Sequence, residues 1–437
     1  MQFRRALGPF DATMVVIGGI IGSGIFINPY LVARTLDTPW QVLAAWMAGG
    51  SVALAGAFAY AELGQLLPRA GGQYVYLSKA WHPLVGFLYG WALLFMIETG
   101  AMAAVSLAFA EYALRLAGAQ IGAPRGLAIA TILLLSAINY VGVKPGSRVL
   151  NVFVLLKLAA LSVLILLAWF QAGATDWLTR ARVDDTPSGV LSFGTALIPI
   201  LFAYGGWQTV NYLAEEMRDP KRDLPVSLIA GTLAVVAIYL LVNVAYLRTL
   251  GLEGLASTTT PAADAAGRWF GPGGERFVAG AIAISTFGFL NHAVLAPTRV
   301  YYAMAADGAF FPALATLHPR FQTPGAAIIL QSSFALLLLV LPGNYGELLG
   351  TVVFADWIFF GLTVAGLFVL RRRLGQPAGF RTPGYPWLPA GFVLVAMVVV
   401  FSTIRQAPER SAIGAGLLLT GVPAYVWFTR RSRAPEP

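Results

Sequence analysis

The sequence predicts an all-α integral membrane protein of about twelve transmembrane helices, laid out as a five-plus-five inverted repeat with broken helices 1 and 6 and two further helices. Three observations predict this. Of 437 residues, 58% are hydrophobic and 11% charged, with a mean hydropathy of +0.72; a soluble domain carries about 25% charged residues. Apolar stretches long enough to cross a bilayer recur along the chain. Two of them are interrupted by glycine: Gly22-Ser23-Gly24-Ile25-Phe26 within residues 15–31, and Phe202-Ala203-Tyr204-Gly205-Gly206-Trp207 within residues 191–213.

Spans are expected near residues 12–34, 40–66, 84–114, 126–142, 149–170, 191–215, 226–250, 276–304, 326–342, 347–370, 387–405 and 411–429. The first is too long, and too poor in a small-residue cleavage site, for a signal peptide. The breaks open two runs of five spans, residues 12–170 and 191–370. An odd number of spans inverts the second run relative to the first. The final pair, near 387–429, completes a single domain over residues 1–437. Residues 68–82 and 251–274 are the loops that stand out; the second holds a short helix at 261–270, and either loop is a cover for the cavity or a plain connection.

With the N-terminus inside, the inner loops receive 18 basic residues and the outer loops 10, leaving Lys157 within a span. That bias places both termini in the cytoplasm. The net charge of +9 is thus spread over loops facing anionic lipid. Nucleic-acid binding would need it on one face, so no nucleic-acid partner is expected. The chain has no cysteine, which excludes disulfides, thiolate metal sites and a disulfide-linked subunit. With three histidines and no H-E-x-x-H, neither a metal nor a cofactor is expected.

The breaks carry the chemistry. Lipid offers no hydrogen-bond partner, so an opened helix at bilayer depth implies a polar cavity. The second half of span 1 begins near Ile25 and points its N-terminus at the midplane, where free N–H groups favour a carboxylate. Gly22 and Gly24 let the backbone turn and approach a ligand, and Ser23 adds a hydroxyl. The first halves of spans 1 and 6 end in free carbonyls near Ile20 and Phe202, which favour an ammonium group. Donors for a carboxylate beside acceptors for an amine suit an α-amino acid better than a sugar, a nucleobase or an inorganic ion. The plainer reading of Gly-x-Gly as a helix-packing motif loses ground because two breaks sit at matching repeat positions.

Five stretches resemble the amino acid–polyamine–organocation superfamily, and within it the L-type amino acid transporters, light subunits of heteromeric transporters and their bacterial relatives. They are Gly19-Ile20-Ile21-Gly22-Ser23-Gly24-Ile25-Phe26; Tyr60-Ala61-Glu62-Leu63-Gly64 with Gly71-Gly72; Leu201-Phe202-Ala203-Tyr204-Gly205-Gly206-Trp207; Glu215-Glu216-Met217 with Asp219-Pro220 and Leu224-Pro225; and His318-Pro319 with Thr323-Pro324. The resemblance implies a LeuT-like fold, sodium-independent amino acid transport and a bacterial inner-membrane location. It implies that Ser23, Gly24 and Ile25 hold the carboxylate, that the carbonyls of Ile20, Phe202 and Gly205 hold the amine, and that Phe202 gates the substrate. Gly22, Ala203, Trp207 and Gln208 belong to the same pocket. It further implies that Lys157 stands where a sodium ion would bind, bonding carbonyls near Gly22 and a hydroxyl at Ser285 or Thr286.

Lys157 lies eight residues into its span, roughly 12 Å deep at 1.5 Å per residue, and an intramembrane lysine costs about 2.5–3.5 kcal/mol on insertion scales. Something should compensate for it; the alternative is snorkelling. Glu98, Asp356 and His292 also fall within spans, as groups for the pocket, for proton coupling or for structural hydrogen bonds. Glu62 and Glu215-Glu216 lie at cytoplasmic helix ends, where pairing with Arg69 or Arg218 is expected. The resulting expectation is an exchanger of neutral L-amino acids working by alternating access, not an enzyme. The rivals are a proton-coupled symporter of neutral or cationic amino acids, a membrane-embedded acyl transferase, for which no nucleophile–base arrangement is visible, and a non-transporting sensor.

Overall fold

The computed structural model describes residues 3–118, 124–170, 177–178, 190–340 and 345–433. Among the described residues there is no β-strand, and the one extended pairing is a parallel bridge between Leu7 and Met217. The first predicted span is divided into α1 (Pro9–Ile20), α2 (Gly24–Ile27) and α3 (Pro29–Thr35). Next come α4 (Pro39–Leu66), the loop helix α5 (Gln73–Ala80), α6 (Pro83–Ala92) and α7 (Glu98–Leu116), the last two joined by a π-helical turn at Leu93–Ile97. α8 (Pro124–Val141) and α9 (Val143–Phe170) complete this half. The second half holds α10 (Val190–Ala203), a 3₁₀ segment (Trp207–Glu216), α11 (Pro220–Ser257), α12 (Pro261–Phe270), α13 (Gly274–Leu295), α14 (Thr298–Ala306), α15 (Gly325–Val340) and α16 (Tyr345–Leu374). α17 (Trp387–Gln406) and α18 (Pro408–Arg433) come last. Eight helical stretches among the described residues are long and apolar enough to cross a membrane.

Local chemistry sets many of these boundaries. Proline occupies the first turn of α1, α3, α4, α6, α11 and α12, where its missing N–H costs nothing. At the start of α4, Thr38 Oγ1 accepts the Gln41 N–H at 3.2 Å and Gln41 Oε1 accepts the Thr38 N–H at 3.0 Å, a reciprocal cap. Leu133, Leu155, Leu166, Leu394, Met397 and Phe401 are exposed. Such outward apolar side chains suit lipid contact and make a poor surface for water. Inside, Trp46 of α4 meets the edges of Tyr204 and Tyr239 at 5.8 and 5.6 Å.

The two interrupted helices cross at their breaks with no room for a side chain. A methyl group on Gly206 would run into the Gly19 carbonyl oxygen, and one on Gly19 would sit 2.7 Å from the Gly206 carbonyl oxygen. Gly206 has φ +103°, a left-handed conformation that closes α10 and starts the 3₁₀ segment. The tightness of this 3₁₀ winding was not foreseen, since an apolar pattern does not distinguish it from an α-helix.

The acidic helix ends do not pair as expected. Glu62 is bridged by Arg371 of α16, at 2.6 Å through Nη2, and also accepts the Thr382 N–H at 2.7 Å. Glu216 takes a two-pronged contact from the fully buried Arg299 of α14, at 2.6 and 3.1 Å. Glu215 accepts the Ala70 N–H at 3.1 Å, and Arg69 pairs with Asp307 at 3.5 Å. Proximity in sequence misled here: a buried carboxylate takes the guanidinium that packing delivers, and tertiary neighbours are remote in the chain.

Breaking a buried ion pair strands a charge and costs about 3–5 kcal/mol. Arg371→Ala is therefore expected to lower the melting temperature of the detergent-purified protein markedly; an unchanged melt would refute the bridge. Gly206→Ala meets both steric overlap and an unfavourable φ, for a cost of about 3 kcal/mol or more. Its signature is loss of monodisperse protein on size exclusion, and a normal elution profile would contradict the crossing.

Candidate functional site

At the first break, the Gly22 N–H bonds the Ile20 carbonyl at 3.0 Å and the Phe26 N–H bonds the Ser23 carbonyl at 3.1 Å. The N–H groups of Ser23, Gly24 and Ile25 make no backbone bond outside the helices. They are the orphan donors of the turn that starts α2. Gly22, Ser23 and Gly24 are partly exposed although Ile21 and Ile25 beside them are buried, so a hollow reaches the break itself. A side chain at Gly22 would meet only the Phe289 ring, at 3.7 Å.

At the second break, the Gly205 N–H returns to the Phe202 carbonyl at 3.1 Å and the Gln208 side chain accepts the Gly206 N–H at 3.1 Å. The Tyr239 hydroxyl lies between the two breaks, 3.1 Å from the Ile20 carbonyl and 3.2 Å from the Ala203 carbonyl. A single residue of α11 thus caps the end of α1 and the end of α10. It escaped the sequence reading because a tyrosine within an apolar span carries no signal of its own. Phe202 is 40% exposed and not packed away. Trp207 is turned to the other side, edge-on to Tyr60 at 4.8 Å and stacked on Phe360 at 5.6 Å. There it borders a small apolar hollow with Ala53, Leu201 and Phe392.

Lys157 is fully buried on α9 and donates to the Gly18 carbonyl at 3.3 Å and the Ile21 carbonyl at 2.5 Å. Its ammonium thereby occupies the carbonyls exposed where α1 unwinds. Ser285 of α13 reaches the same turn through the Gly22 carbonyl, at 3.2 Å, whereas Thr286 bonds back to Ile282 and Ala283 within its own helix. The ammonium and Ser285 hold the turn at different carbonyls and do not bond each other. His292 fills the corner between the breaks. Its Nε2 is 2.9 Å from Thr209 Oγ1, which donates to the Gly206 carbonyl at 2.8 Å, and a methyl on Gly19 would come within 2.9 Å of that nitrogen.

Glu98 opens α7 directly after the π-turn. The extra residue of a π-turn rotates the rest of the helix about its axis, and here the Thr99 hydroxyl holds the turn by bonding the Leu94 carbonyl at 2.6 Å. Glu98 is 8% exposed and Asp356 of α16 is half-buried. Neither makes a salt bridge or hydrogen bond among the described residues. Lys157 is paired with neither carboxylate; its ammonium goes to the Gly18 and Ile21 carbonyls. The arrangement offers donors, acceptors and a hollow for a small polar solute; among the described residues no cluster of metal-ligating side chains exists.

The profile of the amino acid permease family matches residues 7–427. The chain is 31% identical to the serine/threonine exchanger SteT of Bacillus subtilis (strain 168), covering 98% of each chain. It is 31% identical to the human b(0,+)-type amino acid transporter 1, over 98% of this chain and 88% of that one. To the human large neutral amino acids transporter small subunit 2 it is 30% identical, over 97% and 80%. With an all-helical, outwardly apolar architecture opened at two matching breaks, and with relatives along its whole length, the chain belongs to the amino acid permease family.

Proposed function

We propose that this protein is a sodium-independent exchanger of neutral L-amino acids in a bacterial inner membrane. The observation that carries the reading is the meeting of two interrupted helices around a hollow, with unpaired N–H groups on one side and carbonyls on the other. In this reading the fold is LeuT-like with twelve spans, the repeats are residues 12–170 and 191–370, and both termini are cytoplasmic. The N–H groups of Ser23, Gly24 and Ile25 take the substrate carboxylate. The carbonyls of Phe202 and Gly205 take its amine, with those of Ile20 and Ala203 shared with Tyr239. Phe202 closes over the bound molecule, and the α1 half then swings away on the cytoplasmic side. Lys157 supplies the positive charge that a sodium ion would otherwise bring to the break. The relatives are named as transporters or exchangers, and no catalytic role is assigned to any residue.

One observation favours a second reading. Glu98 and Asp356 are unpaired carboxylates inside the bundle, as a proton-coupled symporter of neutral or cationic amino acids would require. Proteoliposomes separate the two. SteT's name makes serine and threonine the first substrates to test. Exchange predicts that uptake of labelled threonine needs internal amino acid, ignores sodium and persists without a proton gradient. Uptake driven by a proton gradient into empty vesicles would replace exchange with symport. Lys157→Met, which leaves the Gly18 and Ile21 carbonyls without their ammonium, is expected to cut exchange by about tenfold or more; wild-type exchange in that variant would remove the lysine from the mechanism.

A further inference from the structure

The left-handed turn at Gly206 is fastened by side chains at both of its peptide groups. Gln208 Oε1 accepts the Gly206 N–H at 3.1 Å. Thr209 Oγ1 donates to the Gly206 carbonyl at 2.8 Å, closer than the Thr209 N–H at 3.4 Å. A peptide unit is planar. The first bond therefore orients the plane that carries the Gly205 carbonyl, and the second orients the plane between Gly206 and Trp207. Gln208 and Thr209 both belong to the 3₁₀ segment that the turn begins. The partner from outside is His292 of α13, whose Nε2 lies 2.9 Å from Thr209 Oγ1. These groups lie against the crossing itself, since a methyl on Gly19 would come within 2.7 Å of the Gly206 carbonyl oxygen and 2.9 Å of that nitrogen.

The direction of these bonds follows from the hydrogens available. A threonine hydroxyl has one hydrogen to give and lone pairs that accept. With its hydrogen on the Gly206 carbonyl, the Thr209 oxygen accepts, so the imidazole carries its hydrogen on Nε2. Nδ1 is then a bare lone pair, and it is buried with no partner among the described residues. The opposite tautomer strands an N–H at Nδ1 and also takes the hydroxyl away from the Gly206 carbonyl. An imidazolium strands a charged N–H at the same place. Each alternative leaves more buried polarity unsatisfied than one idle acceptor, at a cost.

Resting on the reading in which the Gly205 carbonyl receives the substrate amine, we propose that His292 is a positioning residue for that amine. In its neutral form protonated at Nε2 it holds Thr209, Thr209 holds the Gly206 peptide, and the neighbouring Gly205 carbonyl is aimed in consequence. His292 touches no substrate and carries no proton in this role.

Threonine exchange in proteoliposomes and the state of the ring test the relay together. His292→Leu and Thr209→Val, which remove its two links, are each expected to raise the KM for threonine about tenfold with maximal exchange changed less than about twofold. His292→Gln and Thr209→Ser, which keep a donor and a hydroxyl, are expected to restore the KM. The double variant His292→Leu/Thr209→Val is expected to be no worse than the worse single one, because both cut the same chain. A wild-type KM in both link-removing variants overturns the proposal, as does a fall in maximal rate alone or a double variant whose losses multiply. Nitrogen NMR of histidine-labelled wild-type protein at neutral pH, with the His292 signals identified by their loss in His292→Gln, is expected to show a neutral ring protonated at Nε2. A ring protonated at Nδ1, or at both nitrogens, overturns the relay even if a variant fails to fold. If the wild-type protein exchanges no amino acid, the transporter reading fails, and the ring signals still decide the relay.

Discussion

The structure depends on one contact, the backbone-to-backbone crossing of Gly19 with Gly206. Two helices that pass within touching distance at their own unwound turns cannot also complete their hydrogen-bond ladders there, so the polar groups released have to be satisfied by something else. Each surrounding element contributes one answer. α9 sends an ammonium to the carbonyls of the first turn, α11 sends a hydroxyl to the last carbonyls of both helices, and α13 sends a hydroxyl and an imidazole. One set of N–H groups and the hollow beside them remain unanswered. They are what the proposed substrate site is built from.

The division between what residues revealed and what they concealed comes from the range of each interaction. Glycine within an apolar run is legible because lipid penalises an open backbone everywhere, and the positions of both breaks are read from this. Lys157 was legible for the same reason: a charge eight residues into a span demands an acceptor. The short helix Pro261–Phe270 was legible from its proline start. The chain does not announce which remote side chain meets which. Arg299 and Arg371 looked like ordinary cytoplasmic charges, yet each neutralises a carboxylate that sequence proximity assigned elsewhere. The π-turn before Glu98 is invisible to periodicity, since it changes the helical register by one residue without changing composition.

The buried ionisable groups sort into two sets with different degrees of completion. Around the first break, Lys157, Ser285, Thr209 and His292 are tied into backbone bonds and act as scaffolding for an unwound turn. Glu98 of α7 and Asp356 of α16, in contrast, have no salt bridge or hydrogen bond among the described residues.

The stretch before the first helix also has a mechanical consequence. The N–H groups of Ala6 and Leu7 bond the Glu216 carbonyl at 2.9 and 3.0 Å, the Arg218 N–H returns to the Leu7 carbonyl at 3.0 Å, and the Phe3 ring lies against Tyr302 and the Arg299 guanidinium. The leading peptide therefore works as a zip laid across the end of the second broken helix. Any tilt of α1 would pull on that zip from one end, so the load would fall on a handful of main-chain bonds that tie the peptide ahead of α1 to the end of the 3₁₀ segment.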